Sequence, residues 1–132
     1  KWVYRMTPQD EWANVGIKEK RLSDHSMGGN VRKLKIHFDR NCLCYTLVRA
    51  TGSLLFAEKC HPKVNWANGV YLETGLTLVV STSSTEKNGD DLNSQGVCPA
   101  VLGSKDDQPA SYDPDTQLFY VPTNHVCMDY QP

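Results

Sequence analysis

The chain has 132 residues, 39% of them hydrophobic, which suits one domain-sized unit with a modest core. Fourteen Lys and Arg oppose fifteen Asp and Glu for a formal charge of -1, so no field of one sign exists to draw in nucleic acid or an anionic membrane surface. The longest apolar runs, such as LTLVV at 76–80, fall far short of the ~20 residues that cross a bilayer, and no charged-then-apolar leader opens the chain.

In chain order, KWVY at 1–4 alternates polar and apolar like a strand already under way, and MDYQP at 128–132 stops as abruptly. Both ends are therefore expected to be cuts in a longer polypeptide. QDEWANVG at 9–16 sets two adjacent carboxylates, Asp10 and Glu11, against Trp12 and then turns to small and apolar side chains. That raises the question of an acid/base site, although turn formation or a solvated face is the simpler role for both acids. A short helical turn near Gly16 to Lys20 is the one segment with a 3.6 period. RKLKIHFDRN at 32–41 and CYTLVR at 44–49 read as two strands, with the turn formers Asp39 and Asn41 making a hairpin of them. Further turns at Ala50-Thr51-Gly52, Glu73-Thr74-Gly75 and DPDTQ at 113–117 each feed a short strand: SLLFAEK, LTLVVS and LFYVP. The class is all-β, with one domain over 1–132. The stretch 81–111 is polar, Gly-containing and long for a connection, so a solvated excursion is expected there. Its acidic pairs, Asp90-Asp91 and Asp106-Asp107, raise the question of calcium without the spacing of an EF-hand loop.

Five cysteines leave at least one unpaired if disulfides form. Cys42-Leu43-Cys44, with His37 and His61 nearby, invites a zinc reading, but no pair has a finger spacing; two small apolar side chains sharing a strand face is the simpler reading. Whether Cys42, Cys44 and Cys60 are free stays open. Cys98 and Cys127 lie in turn-rich segments that can converge, where a bridge would add about 3–5 kcal/mol by chain entropy and suit an oxidising compartment. His125 and Cys127 share a strand face and suggest a nucleophilic pair, a reading that a disulfide at Cys127 would remove.

MTPQDEW at 6–12, HFDRN…YTLVRATGSLLFAEK at 37–59 and SYDPDTQLFYVPTNHVCMDYQP at 111–132 resemble, in order, successive parts of the large subunit of the pyrroloquinoline quinone (PQQ)-dependent methanol dehydrogenases, the lanthanide-type branch above all. The likeness runs from end to end of the chain, which matches an internal minority of that polypeptide. It implies an incomplete β-propeller: a few antiparallel blade segments of an eight-bladed ring with PQQ and a metal ion on its axis. It also implies a worn copy of the family's blade-docking motif, A-x-D-x-x-T-G-x-x-x-W. Trp2 resembles the last residue of one copy; Val48 and Phe56 stand at the Asp and Trp positions of the next, and Gln117 at the Gly position of another.

The resemblance assigns site residues as well. The family's catalytic base falls at Ala13, and the lanthanide branch's extra metal-binding Asp falls at Val15. Neither side chain has a lone pair to accept a proton or hold a hard cation. Arg40 matches the arginine that holds the quinone oxygens of PQQ, Asp106 a position that also touches the ring system, and Cys98 with Cys127 the family's disulfide pair. The expectation is a segment of an enzyme that oxidises methanol or a similar primary alcohol with PQQ and calcium or a lanthanide, passing electrons to cytochrome c in the bacterial periplasm. Alone it is expected to be inactive. The alternative is a non-catalytic structural or ligand-binding remnant, and in either case open strand edges predict self-association.

Overall fold

The computed structural model of the chain describes residues 1–14, 19–89 and 92–132. Its centre is a four-stranded antiparallel meander of β1 (Arg21–Met27), β2 (Asn30–Phe38), β3 (Leu43–Val48) and β4 (Leu54–Lys59), in that spatial order. β5 (Ala67–Val70) pairs with β6 (Thr77–Val79), and a 3-10 turn follows at Ser81–Ser83. β7 (Ser94–Val97) pairs with the last strand, β10 (Met128–Tyr130), while β8 (Ser111–Asp113) pairs with β9 (Leu118–Tyr120).

The turns dictate the meander. Met27 faces Asn30 across Gly28-Gly29, both at positive φ (59° and 80°), the geometry that lets a two-residue loop follow the natural twist of the strands. This hairpin was not expected from the sequence, although Gly-Gly is its signal. Between β2 and β3, Asn41 is the buried hub. Its Oδ1 accepts the Leu43 N–H (2.7 Å), and its Nδ2 donates to Thr7 Oγ1 and Tyr45 Oη (2.9 Å each). Its carbonyl accepts the Trp66 indole N–H (2.9 Å). The β3–β4 turn closes with Gly52 N–H on the Val48 carbonyl (2.8 Å). A Cβ at Gly52 would lie 2.4 Å from the Trp2 ring, so only glycine lets that indole sit on the turn while its N–H reaches the Arg49 carbonyl (2.9 Å).

Both faces of the meander are covered. Alternation along β3 buries Leu43, Tyr45 and Leu47 in a cluster with Trp12, Val64, Trp66, Ala67 and Val97. On the opposite face Leu34, Ile36 and Phe38 pack with Ala110, Phe119 and Val121, the Phe38 and Phe119 rings 5.6 Å apart. Each buried aliphatic or aromatic side chain of this kind stabilises by about 1.5–3 kcal/mol.

Three expectations are corrected. Lys1–Arg5 pairs with no strand among the described residues; Trp2 and Tyr4 pack against the first cluster instead. The stretch 81–111 is not one solvated excursion, since it carries β7 and buries Ser83, Ser84, Ser94, Val97, Ala100 and Lys105. Cys42 and Cys44 do not share a face as a pair of free thiols. Cys42 sits in the turn at φ 60° and is bonded to Cys60, with Cα atoms 5.2 Å apart, which also takes it out of any zinc site. Cys44 alone is free, and burial followed by the neighbouring Glu58 carboxylate pushes its thiol up to about 12. The 3.6-period segment lies largely outside the described residues, and Glu19 and Lys20 are not helical.

Candidate functional site

The turn after β2 carries Arg40. Its backbone N–H donates to Asp39 Oδ1 (2.9 Å) and its carbonyl accepts the Ser104 N–H (2.9 Å), so the main chain is held from both sides. The guanidinium reaches across to two other segments: Nη2 donates to the Val101 carbonyl (2.9 Å) and Nη1 to the Ala13 carbonyl (3.4 Å). Nε is buried without a partner. The stem lies on Gly103, at φ 81°, where a Cβ would fall 2.9 Å from Arg40 Cβ and 3.0 Å from Nε. Of the residues singled out in the sequence, Ala13 and Arg40 are thus brought together, with the loop 98–104 as the third wall.

That loop is tied down at both ends. Cys98 is bonded to Cys127, their Cα atoms 4.4 Å apart, beside the Val97–Met128 pairing of β7 and β10. The Ala100 N–H donates to the Val126 carbonyl (2.8 Å), the Gly103 N–H to the Ala100 carbonyl (2.7 Å), and Asn124 exchanges bonds with Ser104. By closing a 29-residue separation the disulfide contributes about 3–4 kcal/mol. It also fixes the loop that meets Arg40. With Cys127 in a disulfide, no thiol remains for a pair with His125, whose ring stacks on His61 at 3.7 Å. Asp106 follows three residues after Gly103, and its carbonyl accepts the Lys105 ammonium (2.6 Å).

The two carboxylates beside Trp12 are each engaged by other groups. Asp10 Oδ1 accepts the Trp12 N–H (3.0 Å) and the Asn14 amide (3.5 Å), a local turn. Glu11 is not a solvated acid. It reaches the segment 84–86, accepting Ser84 Oγ (2.7 Å), Thr85 N–H (2.5 Å), Thr85 Oγ1 (2.7 Å) and Glu86 N–H (3.4 Å). Burial raises its pKa, but these donors outweigh burial and leave the carboxyl below its ordinary range. Ala13 itself takes φ 53°, with its carbonyl on Arg40 and a methyl where the resemblance places a base. Val15, Asp90 and Asp91 lie outside the described residues. No group of three or more His, Cys, Asp or Glu able to hold a metal ion occurs among the described residues.

No family model matches the chain. A lanthanide-dependent methanol dehydrogenase of Methylorubrum extorquens is 59% identical over 137 aligned positions, covering 100% of this chain and 23% of that protein. The chain belongs to the methanol dehydrogenase family. Subunit 1 of the cytochrome c-type methanol dehydrogenase of Paracoccus denitrificans is 38% identical, over 100% of this chain and 21% of its own length. Among solved structures, a europium-containing methanol dehydrogenase superposes with a TM-score of 0.86 at 38% identity, covering 97% of this chain and 22% of the other. The chain spans less than a quarter of the length of these family members. Its open set of antiparallel sheets is an incomplete β-propeller, with the four-stranded meander as one blade.

The worn docking motif that the resemblance implies has a physical reading here. Gln117, where the resemblance expects glycine, adopts a positive φ (59°), and Phe56, where it expects tryptophan, is 44% exposed. The sequence reading missed three features: the Glu11 bonds to 84–86, the Asn41 hub and the buried Lys105. All join residues far apart in the chain, and only the short turn formers around Asn41 offered a local signal.

Proposed function

We propose that the chain is a segment of a PQQ-dependent alcohol dehydrogenase that supplies one wall of the cofactor site and does not turn over by itself. The observation that carries this reading is the Arg40 corner. A guanidinium has five N–H donors; here two groups are oriented by the Ala13 and Val101 carbonyls, and Nε is left without a partner. Such a fixed fork suits the planar, oxygen-rich edge of a quinone, so the residues present fit PQQ. Asp106 adds a second contact from the loop that follows Gly103. When bound, PQQ supplies the two-electron acceptor.

The metal does not fit this chain's own residues in the same way. Ala13 offers only a backbone oxygen, already bonded to Arg40, in place of the anionic oxygens that calcium or a lanthanide takes. The same substitution removes the proton acceptor. Oxidising a primary alcohol to an aldehyde requires the hydroxyl proton to leave, and a methyl group cannot take it. Glu11 does not stand in, since both its oxygens are held by segment 84–86, and Asp10 Oδ1 is taken up in the local turn by the Trp12 N–H and the Asn14 amide. What supports alcohol oxidation as the parent reaction is the likeness to methanol dehydrogenases; cytochrome c as the electron acceptor and the periplasm as the compartment belong to the same reading, and the two disulfides suit an oxidising location.

The test is to incubate the chain with PQQ plus calcium or a lanthanide and follow methanol-dependent dye reduction. The reading expects PQQ binding without turnover; measurable turnover overturns it. A second reading, a non-catalytic remnant that self-associates, is favoured by the exposed Leu22 and Val31 at the β1–β2 hairpin and by Tyr71, Leu72 and Leu76 on one turn. A concentration-independent monomer in sedimentation would remove it.

A further inference from the structure

Among the described residues, the most deeply buried cation takes no part in the chemistry above. Lys105 is 0% exposed, and its ammonium meets oxygens of three residues, which matches its three protons. It donates to the Asp106 carbonyl (2.6 Å) and the Gln108 carbonyl, and lies 3.3 Å from Glu19 Oε2 and from Glu19 Oε1. Glu19 Oε1 also accepts the Ala110 N–H (2.8 Å). Burial raises the Glu19 pKa, but the Ala110 N–H, its own N–H and the Lys105 charge outweigh burial and hold the carboxyl below its ordinary range.

The network continues past this pair. The Glu19 carbonyl bonds His37 Nδ1 (3.2 Å), and His37 Nε2 lies 3.5 Å from Asp39 Oδ1, with both side chains fully buried. The same Asp39 oxygen accepts the Arg40 N–H (2.9 Å). Contacts therefore lead from the backbone that carries Asp106, through Lys105, Glu19 and His37, to Asp39 and the backbone that carries Arg40, the step from His37 to Asp39 being a close approach of a buried imidazole nitrogen that has no hydrogen-bond partner.

We propose that Lys105 is a positioning residue: with Glu19 it gathers the 106–110 backbone and couples the placement of Asp106 to that of Arg40. This rests on the reading of those two residues as PQQ contacts. An apolar side chain of equal volume would fill the same space, as replaced buried ion pairs often show, but it would not gather two carbonyls and a carboxylate onto one point. Lys105 touches no substrate; it acts through Asp106 and, along these contacts, through Arg40.

The experiment uses the full chain in three forms: unaltered, Lys105→Met and Glu19→Gln, the last removing the anion while keeping an acceptor for Ala110 in case Lys105→Met fails to fold. Residue-resolved amide exchange without ligand is expected to quicken about tenfold at Ala110 and at the Arg40 N–H together, with the β5–β6 ribbon unchanged. Quickening confined to 105–110, with Arg40 unaffected, overturns the coupling. A PQQ titration then follows. Lys105→Met is expected to weaken binding about tenfold, and adding Asp106→Asn to it to weaken binding no further, because the two changes act at one point. Full additivity overturns the assignment. If the unaltered chain binds no PQQ, the cofactor reading fails while the exchange result still decides the coupling.

Discussion

Two sides of one corner are built very differently. The Arg40 side is over-determined: Asp39 and Ser104 hold its backbone, Gly103 supports its stem, Val101 orients its fork, and a disulfide anchors the loop that supplies the last two. The Ala13 side meets it with one backbone carbonyl at 3.4 Å, while Asp10 is taken up in the local turn and Glu11 is bonded to segment 84–86. The difference teaches that binding geometry and proton chemistry are separable. A residue in a packed turn is kept in place by many partners, whereas a base depends on one side chain and vanishes with it.

The largest expected effect comes from breaking the well-held side. Asn41→Ala removes bonds to Leu43, Thr7 and Tyr45 in a fully buried place, and chemical denaturation should show a loss of about 3 kcal/mol or more. Gly103→Ala comes next. Its Cβ would press on Arg40 at 2.9 Å from a left-handed backbone, for about 1–3 kcal/mol, with PQQ affinity falling alongside stability. A variant that keeps full affinity would show that Gly103 does not place the guanidinium.

On the other side, Glu11→Gln should cost about 1 kcal/mol at neutral pH by weakening charge-assisted bonds to 84–86. The sign of its pH dependence follows from the lowered pKa. The stabilisation is present above the ordinary value of 4.5 and is lost as pH falls through the lower folded value; Glu19 acts in the same direction. Denaturation midpoints should therefore drop in acid, with a shallower drop in Glu11→Gln. The smallest effect is chemical. Unfolding without reductant should expose one alkylatable thiol, Cys44, which in the folded chain at pH 8 reacts barely at all because its pKa stands at about 12. Three reactive cysteines by intact mass would remove the Cys42–Cys60 bridge.

Much of the fold was legible because its signals are local. Asp39 and Asn41, Thr51-Gly52, Thr74-Gly75 and the Asp113 turn, where the Asp113 carboxylate accepts the Thr116 hydroxyl at 2.8 Å, each announce a hairpin within five residues. β7 was not legible, since SQGV has neither alternation nor β-branched density and owes its pairing to β10 thirty residues on. Nor was the Cys42–Cys60 bridge, because five cysteines leave the pairing open until the β3–β4 hairpin sets those two side by side. At the site, only the family resemblance pointed to Arg40 and to position 13 as the expected place of a base, while the partners that orient Arg40 come from Val101 and Gly103, sixty residues away, and carry no pattern of their own.

The most direct test grafts this chain in place of the matching segment of the 59%-identical Methylorubrum extorquens enzyme, so that every other wall of the site is supplied. Methanol-dependent dye reduction is then compared for Ala13 and for Ala13→Asp. The account predicts PQQ-loaded protein in both cases, with turnover about a thousandfold higher when the carboxylate is returned. Equal, substantial turnover with alanine at position 13 would contradict it.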